Sequence, residues 1–327
     1  KIARQCFSGF NEACHNGRRL GAEDSFLKWI YKSFGAGIAE NFMIPYNEKF
    51  WRVSLAELTY KGVDRFIVVP GIKDISKTWH GNVSQELGYN SCFWYPAQGG
   101  IETLAQAFSR DLPNLFCGCP VSEIDLSAKR IKLADGRQER FDCLVSTLPL
   151  PELSRIIVNL PADLGFQFKK LRWNSIFNLN LGIARKIDNP GHWIYFPGQE
   201  FAFFRVGCYT NFSSSLAPPD KSLIYVEVAY TADEPLNKEE LEGRILRDLQ
   251  KTGLLSPRDN MEICDPIDIR YGYVLYDFNH KAATETIQQY LNERNVFSIG
   301  RYGRWEYMSM EDVILDAQKA AELMLTC

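Results

Sequence analysis

Val296-Phe297-Ser298-Ile299 runs into Gly300-Arg301-Tyr302-Gly303-Arg304, and the chain restarts beyond it at Ser309-Met310-Glu311-Asp312. The first segment reads as a short strand, the second as a glycine-broken turn and the third as the start of a helix. A strand–turn–helix unit suits an electron-rich group, because the first amides of a helix lack intrahelical partners and its end carries about half a positive charge. Ser309 with Asp312 makes a capping-box variant, and Met310, Val313, Ile314, Ala317, Ala321 and Met324 form one apolar stripe at helical spacing. On residue pattern alone, an ordinary strand-to-helix connection is the better reading of the same unit.

The run from Gly300 to Asp312 resembles the C-terminal flavin-binding signature of the amine-oxidase superfamily, in particular its protoporphyrinogen-oxidase-like and UDP-galactopyranose-mutase-like members. Three further segments agree in the family's order. Ile44-Pro45-Tyr46-Asn47-Glu48-Lys49-Phe50-Trp51 resembles the mutase-like Pro-Tyr-x-x-Lys-x-Trp segment. Tyr95-Pro96-Ala97-Gln98-Gly99-Gly100-Ile101 resembles the family's Pro-x-x-Gly-Gly strand-to-helix turn. Val121-Ser122-Glu123-Ile124 with Val145-Ser146-Thr147-Leu148-Pro149 resembles its FAD-domain core.

The resemblance implies a mixed α/β (α+β) fold: a partial FAD/NAD(P)-binding Rossmann-like domain, a β-sheet substrate domain and a helical segment. It implies FAD as cofactor and a small-molecule substrate. Cofactor contacts fall on Val121, whose backbone meets the adenine, on Thr147, on Gly300 and Arg301 at the diphosphate–ribityl end, on Tyr307, and on the first-turn amides of Met310 and Glu311 at the flavin N1–C2=O edge. Substrate contacts fall on Tyr46, Lys49, Trp51, Gly99 and Gly100. The implied division is a helical segment (1–65), a strand region of the substrate domain (66–92), a FAD-domain part (93–160), the substrate domain (161–276) and a second FAD-domain part (277–327).

One departure is large. Family members carry a strand–GxGxxG–helix unit that grips the FAD diphosphate, and this sequence holds no such unit. Gly35-Ala36-Gly37 lies in a helical-looking stretch, and Ala3 to Cys14 already reads as the middle of a helix. The expectation is a fragment of a longer flavoprotein.

Composition bounds the remaining possibilities. With 46% apolar and 24% charged residues the chain can bury a sizeable core. A net charge of −3 and the lack of any long Lys/Arg run give no footprint for nucleic acid. Apolar runs such as Phe66–Pro70 and Phe201–Phe204 fall far short of the roughly 20 residues of a transmembrane segment. Nine cysteines without framework spacing read as reduced thiols in a cytoplasmic setting. Cys117-Gly118-Cys119 is the one close pair and makes a poor zinc site. His15, His80, His192 and His280 show no metal-binding spacing and are expected to be satisfied or exposed.

Along the chain, Phe26, Leu27, Ile30, Phe34, Ile38 and Phe42 mark one helical apolar face, and Pro45 is expected to stop the helix and leave Tyr46 to Trp51 irregular. Strands are expected at Cys92–Tyr95, Leu115–Val121 and Phe141–Thr147, with a hairpin turning at Asp135-Gly136. Four more are expected at Ile176–Ala184, His192–Phe196, Phe201–Tyr209 and Leu223–Tyr230, then a capped helix from Asn237, then a strand within Ile263–Tyr276. Tyr271, Tyr273 and Tyr276 fit a cavity lining or a tyrosine-rich sheet edge. Three functions are compatible with this pattern: a FAD-dependent oxidoreductase, a flavin-dependent sugar-nucleotide isomerase, and a non-catalytic fragment. The isomerase needs cations converging on a diphosphate, and Lys49, Arg52, Arg172, Arg185 and Arg205 are its candidates.

Overall fold

The computed structural model describes residues 1–16, 20–21, 23–79, 92–189, 191–234 and 236–325. His80 and Cys327 lie outside the described residues, as does most of the expected strand region at 66–92. The elements run α1 (Ile2–His15), α2 (Phe26–Ile38), a π-helical turn (Ala39–Met43), α3 (Ile44–Trp51), α4 (Ile72–Trp79) and α5 (Glu102–Ser109). There follow β1 (Val121–Asp125), β2 (Arg130–Leu133), β3 (Gln138–Arg140), β4 (Leu144–Ser146), α6 (Leu150–Ile156), α7 (Ala162–Lys169) and β5 (Trp173–Ile183). The order closes with β6 (Trp193–Tyr195), β7 (Arg205–Cys208), β8 (Ser222–Tyr230), α8 (Lys238–Lys251), β9 (Met261–Val274), α9 (His280–Asn292), β10 (Val296–Ser298), α10 (Gly300–Gly303) and α11 (Met310–Met324). The chain packs as two compact units, Lys1–Leu112 with Asn174–Gly272 and Pro113–Trp173 with Tyr273–Cys327.

The first unit joins the helical segment to a five-stranded sheet of order β6-β7-β8-β5-β9. Because successive strand residues point to opposite faces, Phe177, Leu179, Leu181 and Ile183 share one face with Val206, Ile224, Val226 and Val228. Ile245 and Leu249 of α8 close that core. Each such side chain contributes about 1.5–3 kcal/mol by leaving water. Asn237 caps α8, its side chain accepting from the Glu240 amide. Among the helices, α1 and α2 approach so closely that only glycine fits. Gly35 sits at φ +71° inside α2, where a Cβ would fall 2.0 Å from the Gly9 carbonyl oxygen, and a Cβ on Gly37 would fall 2.3 Å from the Gln5 oxygen. Gly35 therefore kinks α2, and the π-turn that follows shifts the phase again. The shift buries Met43 and leaves Phe42 38% exposed, off the face that the periodicity assigned to it.

The second unit carries the β1-β2-β3 meander, turning at Asp135-Gly136 as the sequence implies, and a parallel pair of β4 with β10. Helix α7 packs on α9, and α9 on β10.

Several expected elements are corrected. Tyr46 to Trp51 is helical, because Pro45 occupies the first turn of α3, where its missing N–H has no intrahelical partner to lose. Cys92–Tyr95 is not a strand, and Trp94 is 100% exposed. The strand expected from Leu115 begins only at Val121, since Gly118 bends the chain and Pro120 cannot donate to a ladder. Phe141–Thr147 shortens to β4. The described part of 66–92 holds the end of a 3-10 turn (Asp64–Phe66) and α4, without a strand. The stripe on α11 forms as spaced, yet Met310 and Ile314 remain exposed within the described residues, and Ala320 is the helix's buried residue.

Gly35→Ala should lower thermal stability far more than Gly253→Ala. Both positions have left-handed φ, at +71° and +78°, but a Cβ at Gly253 meets nothing within 4 Å. The second change should cost about 1 kcal/mol from backbone strain, and the first about 3 kcal/mol once overpacking is added. Equal shifts in denaturation midpoint would refute the close helix contact.

Candidate functional site

All seven expected cofactor residues lie in the second unit and all five expected substrate residues in the first. In the second unit, β10 delivers the chain into a tight turn at Gly300, φ +73°. The Gly300 amide donates to Asp316 Oδ2 at 2.7 Å, and Arg304 forks onto the same carboxylate with Nη2–Oδ1 at 2.9 Å. Burial opposes the charge on Asp316, yet those hydrogen bonds hold its carboxyl below the usual carboxylate range. The more closely packed glycine of the turn is Gly303, where a Cβ would lie 3.0 Å from both the Ser146 carbonyl oxygen and Ser298 Oγ.

Arg301 lies over aromatic faces, its guanidinium carbon 4.5 Å from the Tyr307 ring centre and 5.1 Å from that of Tyr273. Those two rings stack at 5.6 Å. The Tyr307 amide donates to the Tyr276 hydroxyl, 2.5 Å away, and the His280 ring donates from Nε2 to the Trp305 carbonyl at 2.8 Å. Burial pushes the His280 imidazole below its ordinary range, so the neutral ring serves as a fixed strut. Of the three tyrosines near the end of β9, Tyr273 and Tyr276 thus support the loop that leads into α11. Ser309 caps α11 in a reciprocal box with Asp312, and the amides of Met310 and Glu311 stand in the open first turn. Val121 is half-buried at the start of β1, and Thr147 is exposed just beyond β4.

FAD can be tested against these groups. The α11 amides fit an electron-rich flavin edge, with the helix end worth about 0.3–1 kcal/mol to a negative charge beside the exposed Met310 and Glu311. The Gly300 amide does not fit a diphosphate contact, because Asp316 already holds it.

In the first unit, Tyr46, Lys49 and Trp51 are packing residues of α3. Tyr46 stacks on Phe42 at 5.6 Å and meets Tyr195 edge-on at 5.3 Å, and the Trp51 indole donates to Asn47 Oδ1 at 3.2 Å. Lys49 is buried, and its ammonium donates to the carbonyls of Phe196 at 3.0 Å and Gly198 at 2.6 Å. Burial pushes it down to about 8, against the opposing pull of Glu200. Gly99 and Gly100, both at positive φ, turn the chain into α5, and the nearby Ala97 carbonyl accepts from the hydroxyls of Ser213 and Ser215.

A second group in the first unit escaped the sequence reading. On the sheet face opposite the apolar core, Trp193, Gly207 and Tyr225 align across β6, β7 and β8, and Arg205, Glu227 and Asn178 align across β7, β8 and β5. The Trp193 indole donates to the Tyr225 hydroxyl at 2.7 Å, and Arg205 pairs with Glu227. Gly207 makes room for the Tyr225 ring, which a Cβ would strike at 2.1 Å. Burial pushes the Tyr225 phenol well above its usual range. The signal was present in Tyr225 and Glu227, which alternate with the apolar Ile224, Val226 and Val228.

The model of the family described as flavin containing amine oxidoreductase matches residues 21–325. The chain therefore belongs to that family, whose members are FAD-dependent oxidoreductases. Solved structures similar to it include a reduced UDP-galactopyranose mutase, 24% identical with TM-score 0.86, the match covering 93% of this chain and 67% of that one. A protein from Exiguobacterium sp. 255-15, provisionally assigned as a protoporphyrinogen oxidase, is 14% identical with TM-score 0.68, over 94% of this chain and 68% of that one. A putrescine oxidase double mutant is 12% identical with TM-score 0.66, over 100% of this chain and 75% of that one. At these identities the likeness shows the fold. Among the described residues, no helix is long and apolar enough to cross a membrane, and no group of three metal-ligating side chains occurs.

Lys49→Met should destabilise the protein by about 1–3 kcal/mol at neutral pH, because two inward-facing carbonyls lose their donor. The ammonium titrates lower in the folded state, near 8, than its ordinary 10.5. The unfolded chain therefore binds more protons between those values, and wild-type stability should rise across that window. The Met variant should lack that rise. Parallel stability–pH curves for the two proteins, from denaturant titration, would overturn this account of Lys49.

Proposed function

We propose that this chain serves the oxidation of a small organic substrate, with flavin contacts supplied by the second unit. The observation that carries this choice is how the five candidate cations are bound. Lys49 is held by two carbonyls, Arg52 by Glu234, Arg172 by Asp277, Arg185 by Asp259 and Arg205 by Glu227. A nucleotide-sugar diphosphate would have to compete with these partners, which weighs against the isomerase reading. FAD, when bound, would supply the redox chemistry. The residues of the chain bind and orient. Arg301, fixed over Tyr273 and Tyr307, presents cationic character beside the turn, and the amides of Met310 and Glu311 stabilise negative charge at the end of α11. Eight cysteines among the described residues are free thiols, which supports a cytoplasmic setting.

Two measurements test this proposal. The 327-residue chain alone should bind FAD weakly, since no GxGxxG unit is present in it and Asp316 occupies the Gly300 amide. Submicromolar affinity in a fluorescence titration would contradict that. In the flavin-loaded protein, a turned-over substrate should bleach the visible flavin absorbance under anaerobic conditions. Turnover that begins and ends at one flavin redox level, on a sugar nucleotide, would establish the isomerase instead.

A further inference from the structure

The thiols of Cys117 and Cys119 take no part in the flavin or substrate contacts assigned above. Cys117 is exposed and Cys119 partly buried, on the loop that enters β1. Gly118 between them adopts φ +69° in open space, with nothing within 4 Å of a Cβ built there. Two residues span at most about 7 Å when fully extended, so any bend at the middle residue draws their α-carbons toward the roughly 4.4–6.8 Å that a disulfide requires. The Cys119 thiol donates to the Cys117 carbonyl at 3.5 Å, which draws one sulfur back toward the other residue.

A cation completes the arrangement. Arg137 Nη2 donates to Cys119 Sγ at 3.5 Å, while Arg137 Nε is held by Asp135 at 2.7 Å. The Ala134 amide donates to the Pro120 carbonyl at 2.9 Å, tying the cysteine loop to the hairpin turn that carries the arginine. A guanidinium beside a sulfur steadies the negative charge that a thiol must carry to attack.

We propose that Cys117 and Cys119 form a reversible dithiol–disulfide couple that exchanges with low-molecular-weight disulfides, with Cys119 as the attacking sulfur. Cys119, as thiolate, attacks one sulfur of the external disulfide, forming a mixed disulfide and releasing the first small thiolate. Cys117, as thiolate, then attacks the Cys119 sulfur, closing the loop disulfide and releasing the second small thiolate. Two electrons pass from the cysteine pair to the external disulfide, and the two cysteine protons end on the two released thiols. Closure removes the Cys119 hydrogen now used on the Cys117 carbonyl.

The test equilibrates the full chain in glutathione buffers of graded oxidised-to-reduced ratio, blocks remaining thiols by alkylation, and reads each cysteine peptide by mass spectrometry. Exposed Cys92 serves as the reference thiol. The 117–119 peptide should lose two hydrogens at ratios where Cys92 stays reduced or carries one glutathione. Cys117→Ser should trap a persistent glutathione adduct on Cys119. Arg137→Gln should slow alkylation of Cys119 about threefold or more while leaving Cys92 unchanged. Separate glutathione adducts on Cys117 and Cys119 in the wild type would overturn the couple, as would two free thiols at ratios that modify Cys92. An Arg137→Gln variant whose Cys119 reacts at the wild-type rate would remove the assignment of Cys119 as attacker.

Discussion

The carboxylate of Asp316 sets the geometry of the second unit's turn. It accepts from the Gly300 amide and from Arg304, so the residue that leaves β10 and the residue that ends α10 are both fastened to one point on α11. With those ends fixed, Trp305 takes a left-handed φ of +60° and is fully buried, and Arg301 and Tyr307 are brought to the same aromatic stack. An amide that belongs, on resemblance, to a cofactor's diphosphate instead belongs to the protein. The helix end then remains as the part of the turn open to an electron-rich group.

A comparable economy governs Lys49. Its motif position suggests a charge aimed at a ligand, but charge direction is decided by what burial leaves available. Two carbonyls before and after Pro197 take the ammonium, and a charge left in so enclosed a place must have such partners. The same rule separates the five candidate cations. Each was visible as a charged letter, and each is engaged by an oxygen far from it in the chain.

How much was legible in the sequence follows from the range of the forces involved. Ser309 and Asp312 form the reciprocal cap because capping is local, and β5, β6, β7, β8 and α8 appear near their expected positions because alternation and periodicity report burial directly. The Asp135-Gly136 hairpin is equally local. Pro45 misled because proline ends a helix in its interior but opens one at its first turn, and the choice depends on the π-turn before it. Cys92-Phe93-Trp94-Tyr95 has strand-like letters without a ladder to join. The row of Arg205, Glu227 and Asn178 needed the register of three strands, which no single stretch encodes.

The pairing of β4 with β10 joins Leu144 to Val296 and Ser146 to Ser298, about 150 residues apart. During synthesis at the ribosome, β4 emerges long before its partner exists, while most of the sheet formed by β5 to β9 is made in the interval. Closing so long a connection from a disordered chain is slow, because its entropy is lost before any contact forms. Prior folding of the interposed sheet shortens the effective loop to the segments 147–172 and 275–295 that enter and leave it. The order of birth along the polypeptide therefore lets the β5–β9 sheet fold before β4 meets β10, and a translational pause beyond β9 would favour that pairing over exposure of the unpaired edge of β4.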